Sequence, residues 1–104
     1  MSFLRKLLGL GPAVDLKALA DEGAIILDVR TKGEFQGGHI KHAINIPVES
    51  LDSNLSKLKS KDKPIITCCA SGMRSGRAKG LLKAKGYEKV YNGGAWTSLN
   101  RKIA

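Results

Sequence analysis

The chain has 104 residues, enough for one compact domain, and its 42% hydrophobic and 26% charged residues are typical of a globular protein. No apolar stretch approaches the roughly 20 residues of a membrane-spanning helix, so we expect no membrane span. A net charge of +9 would suit nucleic acid, an acidic protein or a small anion. Only 5% of the residues are aromatic, and the lysines fall on predicted helix surfaces and connections, so we expect no nucleic-acid partner.

Two features of the sequence predict a cytoplasmic protein. The two cysteines are adjacent, which argues against a disulfide framework and fits a reducing compartment. Residues 1–12 carry basic residues inside their apolar stretch and lack a small-residue cleavage site, unlike a secretory leader. We expect residues 1–12 to be an N-terminal segment, amphipathic or frayed, and residues 13–104 to form the domain.

The first half of the domain predicts two helical segments and two strands. Residues 15–23 have an acidic cap, apolar residues at helical spacing and a terminal glycine, which predicts a short helix. The continuous apolar run at residues 24–29 is typical of a strand that is buried on both faces. Residues 33–38 are bounded by glycines and allow one helical turn, and residues 43–47 alternate like a short strand that proline ends.

The second half continues the alternation of helices and strands. Residues 49–59 carry leucines at helical spacing and predict an amphipathic helix. Residues 64–69 predict another buried strand, and residues 73–85 predict a helix that a glycine ends. Residues 90–91 predict a last short strand, closed by the Asn-Gly-Gly that follows, and residues 95–100 predict a final helical turn.

This alternation predicts an α/β fold in which a parallel sheet carries helices on both faces, the three-layer α/β/α architecture. In such sheets the reactive site lies beyond the carboxyl ends of the strands. Cys69 stands at that end of a predicted strand, which makes it the first candidate for a functional residue.

The segment 69–75 reads Cys-Ala-Ser-Gly-Met-Arg-Ser and connects a strand to a helix. Such a loop places the sulfur beside unpaired backbone N–H groups, and these amides, the helix dipole and Arg74 all favour the thiolate. Gly72 allows the backbone to turn inward, and the Ser75 hydroxyl can cap the helix or bond the sulfur. We predict that Cys69 is a nucleophile, cradled by Ala70, Ser71, Gly72, Met73, Arg74 and Ser75.

The neighbouring cysteine and the tryptophan are predicted to be structural. Side chains alternate along a strand, so only one of Cys68 and Cys69 can point into the loop, and we expect Cys68 to be a small core residue. Trp96 is predicted to pack in the core, with a place in the wall of the pocket as the alternative. Two cysteines and two histidines at these spacings match no closed ligand set, so we expect no metal and no cofactor.

Four polar residues near the predicted strand ends invite a catalytic interpretation, but each has a structural one. Arg30 and Glu34 are spaced to form an ion pair, and Asp28 and His39 can hydrogen-bond loop backbones. A thiolate that is already stabilised by a cradle needs no histidine base, so we predict that all four residues support the site.

The motif Cys69-x-x-Gly72-x-Arg74-Ser75 resembles the six-residue active-site loop of single-domain rhodanese-type sulfurtransferases. Two further parts of the chain resemble motifs of that family. The amino-terminal motif is resembled by residues 27–30, 34–35, 38–40 and 43–47, and the carboxyl-terminal motif is resembled by residues 86–87, 90–91 and 93–96. The resemblance runs from about residue 13 to the end of the chain and implies a rhodanese-like fold with a central sheet of about five strands.

That resemblance implies an activity of the thiosulfate sulfurtransferase type. Cys69 would accept a sulfane sulfur as a persulfide, from thiosulfate or another persulfide donor, and pass it to a thiol or cyanide. The loop amides and Arg74 would hold the anionic group of a small sulfur donor. A protein thiol, such as that of a thioredoxin-like protein, is the expected acceptor.

Two other functions are compatible with the sequence. Counted from Cys68, the chain reads Cys-x5-Arg, which resembles the longer loop of the cell-cycle dual-specificity phosphatases. Phosphate needs the larger ring of amides, whereas a terminal sulfur atom fits the smaller one, so the position of the nucleophile decides the chemistry. The third possibility is a non-catalytic rhodanese-like regulatory module, or a sulfur relay that docks an acidic partner on the basic surface.

Overall fold

The computed structural model describes residues 14–104, so the predicted N-terminal segment 1–12 lies outside the described residues. In chain order the elements are α1 (Leu16–Asp21), β1 (Ile25–Asp28), α2 (Lys32–Gln36), β2 (Ile44–Asn45), two 3₁₀ helices (Val48–Ser53 and Leu55–Leu58), β3 (Ile65–Cys69), α3 (Met73–Ala84), β4 (Val90–Ala95) and α4 (Trp96–Ile103). None of the helices in this part of the chain is long and apolar enough to cross a membrane.

The strands form one sheet in the order β2-β1-β3-β4, and every pair is parallel. The carboxyl ends of all strands therefore lie at the same edge, where β3 ends at Cys69. Residues 14–104 contribute four strands to this sheet, rather than the about five that the family resemblance implied.

Each face of the sheet packs on its own layer of helices, as predicted. Alternate residues of β3 divide between the faces: Ile65 and Cys69 join one buried cluster, and Ile66 and Cys68 join the other. The first cluster contains side chains of the 3₁₀ helices and α3, namely Val48, Leu51, Leu58, Ala78 and Leu82. The second contains Leu99 of α4 and is covered by apolar side chains of α1.

The prediction of one amphipathic α-helix over residues 49–59 is wrong. Two 3₁₀ helices occupy this region, and Asn54, with φ −128° and ψ 24°, separates them. The Asn54 side-chain amide donates to the Ser50 carbonyl at 2.7 Å. Asn and Ser side chains that bond nearby backbone groups compete with the α-helical ladder, while the leucine spacing still buries Leu51 and Leu58.

The last two elements are longer than predicted. Asn-Gly-Gly does not end β4, which continues through it to Ala95, and α4 extends to Ile103. The pairing of β3 with β4 shifts between Thr67 and Cys69, the irregularity of a β-bulge, and the glycines lie in it. A Cβ added at Gly93 would lie 2.8 to 2.9 Å from Leu99, Ile66 and the Thr67 carbonyl, so this glycine permits close packing.

Candidate active site

The Cys69 sulfur lies inside the loop that joins β3 to α3. The Gly72 amide donates to Sγ at 3.0 Å and the Ser75 amide at 3.3 Å, and the Ser75 hydroxyl is 3.4 Å from the sulfur. Gly72 adopts φ +103°, a left-handed conformation that favours glycine, and a Cβ there would approach Gly94. The predicted cradle therefore forms around Cys69.

These contacts stabilise the thiolate. Burial alone would raise the pKa of Cys69, and it is the largest single influence on this group. The Ser75 hydroxyl and the amides of Ser75, Gly72 and Ser71 together outweigh burial and hold the pKa of Cys69 below its ordinary value. A lowered pKa in a ring of donors is the environment of a nucleophilic cysteine.

Cys68 has the opposite environment. Its side chain is fully buried in the other cluster, with Ile26, Ile40, Ile66 and Leu99. Burial, and then the Asp28 carboxylate, raise the pKa of Cys68 to about 12, so its thiol stays protonated near neutral pH. The prediction that Cys68 is a small core residue is confirmed.

Asn92 of β4 also bonds to the loop, a role that the sequence pattern did not predict. Its Oδ1 accepts from the Ser75 hydroxyl at 2.7 Å and from the Gly94 amide at 2.9 Å, and its Nδ2 donates to the Gly72 carbonyl at 3.2 Å. The single Ser75 proton can go either to Asn92 or to a deprotonated Cys69. Asn92 thus ties β4 to Gly72 and Ser75 and shares the Ser75 hydroxyl with the sulfur.

The structure corrects the predicted partner of Glu34. Glu34 pairs with Arg74, not with Arg30: Arg74 donates to its two carboxylate oxygens at 2.6 and 3.0 Å. The Arg74 guanidinium, followed by the Thr31 amide, lowers the pKa of Glu34 to about 2. Arg74 therefore lies beside the loop with its charge already matched by a carboxylate.

Arg30 pairs with Asp28 instead. The guanidinium donates to the Asp28 carboxylate at 2.6 to 3.0 Å and to the carbonyls of Glu34 and Gly38, and it lies 4.7 Å from the centre of the Trp96 ring. Asp28 also accepts from the Arg30 amide at 3.0 Å. This buried pair fixes the connection after β1.

The model of one protein family, described as the rhodanese-like domain, matches residues 12–97. The chain belongs to this family. Its sequence motifs, parallel sheet and cysteine loop agree with that assignment, and the fold is rhodanese-like.

Curated relatives of this rhodanese-like domain are longer proteins. The uncharacterized protein YqhL of Bacillus subtilis is 41% identical over 69 residues, which are 66% of this chain and 54% of that protein. The tRNA uridine(34) hydroxylase of Escherichia fergusonii is 33% identical over 79 residues, 71% of this chain and 23% of the hydroxylase. The matches thus span about half of the first relative and about a quarter of the second.

Solved structures include single-domain members of similar size. The human single-domain sulfurtransferase TSTD1 is 28% identical and superimposes with a TM-score of 0.75, covering 90% of this chain and 99% of that one. A rhodanese from E. coli, solved with anions, is 30% identical with a TM-score of 0.69, covering 73% of this chain and 91% of that one.

The other predicted residues of this rhodanese-like domain lie around the loop or beside α2. Ala70 and Ser71 are exposed in the loop, and Met73, at the start of α3, is 84% exposed. His39 is exposed, stacks on Phe35 and lies 2.7 Å from the Phe35 carbonyl through Nδ1. His39 therefore contacts the backbone of α2, rather than the loop backbone that the sequence predicted. Within residues 14–104 no group of histidine, cysteine or acidic side chains is arranged to hold a metal ion.

Proposed function

We propose that this protein is a sulfurtransferase that carries sulfane sulfur as a persulfide on Cys69. The observation that carries the proposal is the position of the Cys69 sulfur, which accepts hydrogen bonds from the Gly72 and Ser75 amides next to the Ser75 hydroxyl. The same donors that stabilise a thiolate would stabilise the terminal sulfur anion of a persulfide.

The reaction has two displacement steps. The Cys69 thiolate attacks the terminal sulfur of a donor such as thiosulfate; the new S–S bond forms as the donor's own S–S bond breaks, and sulfite leaves with the electron pair. The thiolate of an acceptor, or cyanide, then attacks the outer sulfur of Cys69 and regenerates the Cys69 thiolate. Charge and atoms balance in each step without a cofactor or an external oxidant.

The structure favours sulfur over phosphate as the transferred group. A phosphatase would need Cys68 at the centre of the longer loop, yet Cys68 lies on the other face of β3 in an apolar cluster. Cys69 is fully buried within a ring of amides, which suits an approaching single sulfur atom better than a phosphate ester. Retention of an activated Cys69 also argues against a purely regulatory module.

The acceptor in this proposal is a thiol, and a protein thiol such as that of a thioredoxin-like protein fits best. The net charge of +9 favours an acidic partner. The two cysteines are free and one is stabilised as a thiolate, so we place the activity in the reducing environment of the cytoplasm.

Steady-state assays of sulfur transfer from thiosulfate test the proposal. Transfer to cyanide is followed as thiocyanate, and transfer to dithiothreitol is followed as sulfide. Cys69→Ala is expected to abolish both transfers, because no other cysteine lies in the loop. Cys68→Ala is the matched control, since it removes the neighbouring thiol, and is expected to retain most of the rate. Transfer that survives Cys69→Ala, or hydrolysis of an aryl phosphate that depends on Cys68, would contradict the proposal.

A further inference from the structure

The arginine beside the loop is already paired with a carboxylate. Arg74 lies in the first turn of α3, next to the Cys69 cradle, and its two terminal nitrogens donate to both oxygens of Glu34 at 2.6 and 3.0 Å. Both side chains are about one third exposed, at 32% and 36%, so the pair lies where a donor arriving from solvent would meet it. A bidentate pair of this kind is among the strongest that arginine forms.

Glu34 is fixed in place by contacts besides the one with Arg74. It forms the capping box of α2, because its Oε1 accepts from the Thr31 amide at 3.0 Å while the Thr31 hydroxyl accepts from the Glu34 amide at 3.2 Å. The carboxylate therefore cannot swing away from Arg74 without breaking the N-terminal cap of its own helix.

The charges around the loop are consequently unfavourable for a dianion. When Cys69 is a thiolate, the Cys69 and Glu34 anions and the Arg74 cation lie beside the loop, with the neutral loop amides as further donors. The Glu49 carboxylate of the first 3₁₀ helix also raises the pKa of Arg74 and adds negative charge near it. Like charges repel, and the repulsion grows with the charge of the incoming donor.

We propose that Glu34 determines donor specificity: by neutralising Arg74 it selects against dianionic donors such as thiosulfate and favours donors of lower charge. The inference rests on the proposed sulfur transfer through Cys69. In this inference, the Glu34 carboxylate, which lies on α2 outside the cysteine loop, lowers the positive charge that Arg74 offers to a donor.

The test compares two donors that deliver the same terminal sulfur with different charges. Thiosulfate is a dianion and benzenethiosulfonate a monoanion, and each loads Cys69 with loss of sulfite or benzenesulfinate. Glu34→Gln keeps a side chain that can form the capping box but removes the charge. It is expected to raise the thiosulfate-to-thiosulfonate ratio of persulfidation rate constants on the order of tenfold.

Two further variants control for net charge and for folding. Glu22→Gln makes the same change of charge before β1, at the opposite edge of the sheet, and is expected to leave the ratio within about twofold of the wild type. Glu34→Ala, which loses the cap as well as the carboxylate, should show the same rise as Glu34→Gln, with folding of each variant checked by its far-UV circular dichroism melting curve.

The outcomes separate this inference from the proposed function. If both donors load Cys69 of the wild type and the ratio is unchanged in Glu34→Gln and Glu34→Ala, the role of Glu34 is refuted and sulfur transfer stands. If neither donor loads Cys69 in the wild type, both proposals are refuted. A rise of the same size in Glu22→Gln would assign the effect to net charge and refute the role of Glu34.

Discussion

Two adjacent cysteines acquire opposite chemistry because neighbouring side chains of a strand point to opposite faces. Cys69 turns toward the loop, where hydrogen bonds overcome the cost of burial and lower its pKa. Cys68 turns into an apolar cluster, where burial and Asp28 raise its pKa to about 12. One step along the backbone thus separates a nucleophile from a core residue.

Replacement of Ser75 by alanine tests the hydrogen bonds at the sulfur. Ser75→Ala removes the hydroxyl and keeps the amide, so the pKa of Cys69 is expected to rise, because the thiolate loses one of the hydrogen bonds that stabilise it. Alkylation by iodoacetamide, measured against pH, should shift to higher pH and slow at neutral pH.

Ser71→Ala is the matched control for that experiment. Ser71 is exposed in the same loop, and it lowers the pKa of Cys69 through its backbone amide, not its side chain. Alanine at this position therefore retains that contribution. An unchanged pH profile in Ser75→Ala, or an equal shift in Ser71→Ala, would exclude the Ser75 hydroxyl as a stabiliser of the thiolate.

At the scale of elements, β4 contacts the active-site loop just before its bulge. Asn92, which pairs in regular register with Thr67, bonds to Ser75 and Gly72. Gly93, in the bulge, packs against Leu99 and Ile66 without a Cβ. The loop is therefore held from β4 as well as by its own chain.

Gly93→Ala is expected to destabilise the protein. The added Cβ would lie 2.9 Å from the Thr67 carbonyl oxygen, a backbone atom that cannot move aside easily, which corresponds to a loss of about 1 to 3 kcal/mol in the free energy of unfolding. Urea unfolding measures this change.

Gly80→Ala provides the contrast. A Cβ at Gly80, on the exposed surface of α3, would meet no atom within 4 Å, so alanine there is expected to stabilise the protein by about 0.5 to 1 kcal/mol. If Gly93→Ala is as stable as the wild type, the close packing of the bulge does not constrain this position.

Much of this architecture follows from local pattern in the sequence. The apolar runs predicted β1 and β3, and the loop pattern predicted that Cys69 would be cradled by its own amides, because each depends on residues close in the chain. The same holds for α1, whose predicted Asp15 cap accepts from the Ala18 amide.

Contacts between distant segments could not be predicted in this way. The spacing of Arg30 and Glu34 suggested a pair, but Glu34 reaches across to Arg74 and Arg30 folds back on Asp28. Asn92 gave no signal, because its contacts with Ser75 and Gly72 join segments that are 17 and 20 residues apart in the chain.

At the scale of the whole molecule, the Arg74 and Glu34 pair joins two helices that follow different strands. α2 comes after β1 and α3 after β3, and their ion pair spans the carboxyl edge of the sheet. Folding therefore lowers the pKa of Glu34 from 4.5 to about 2.

That shift predicts the response of stability to acid. A carboxylate whose pKa is lower in the folded state stabilises it above the unfolded value, and this contribution is lost as the pH falls from about 4.5 to about 2. Because the pair is partly exposed, we expect the effect to be at most about 1 kcal/mol.

Urea unfolding at pH 5 and at pH 3 measures this loss of stability in acid. The wild type should lose more stability between these values than Glu34→Gln, whereas Glu22→Gln should follow the wild type. Equal losses in the wild type and Glu34→Gln would show that the pair does not contribute to acid sensitivity.

Locating the transferred sulfur tests whether Cys69 carries it. The reduced protein is incubated with thiosulfate or benzenethiosulfonate, the persulfide is trapped by alkylation, and the peptide that contains both cysteines is fragmented in a mass spectrometer. We predict the mass of one additional sulfur atom on Cys69 and none on Cys68, in the wild type and in Cys68→Ala. Sulfur on Cys68, or an unmodified Cys69 after incubation with both donors, would contradict sulfur transfer through Cys69.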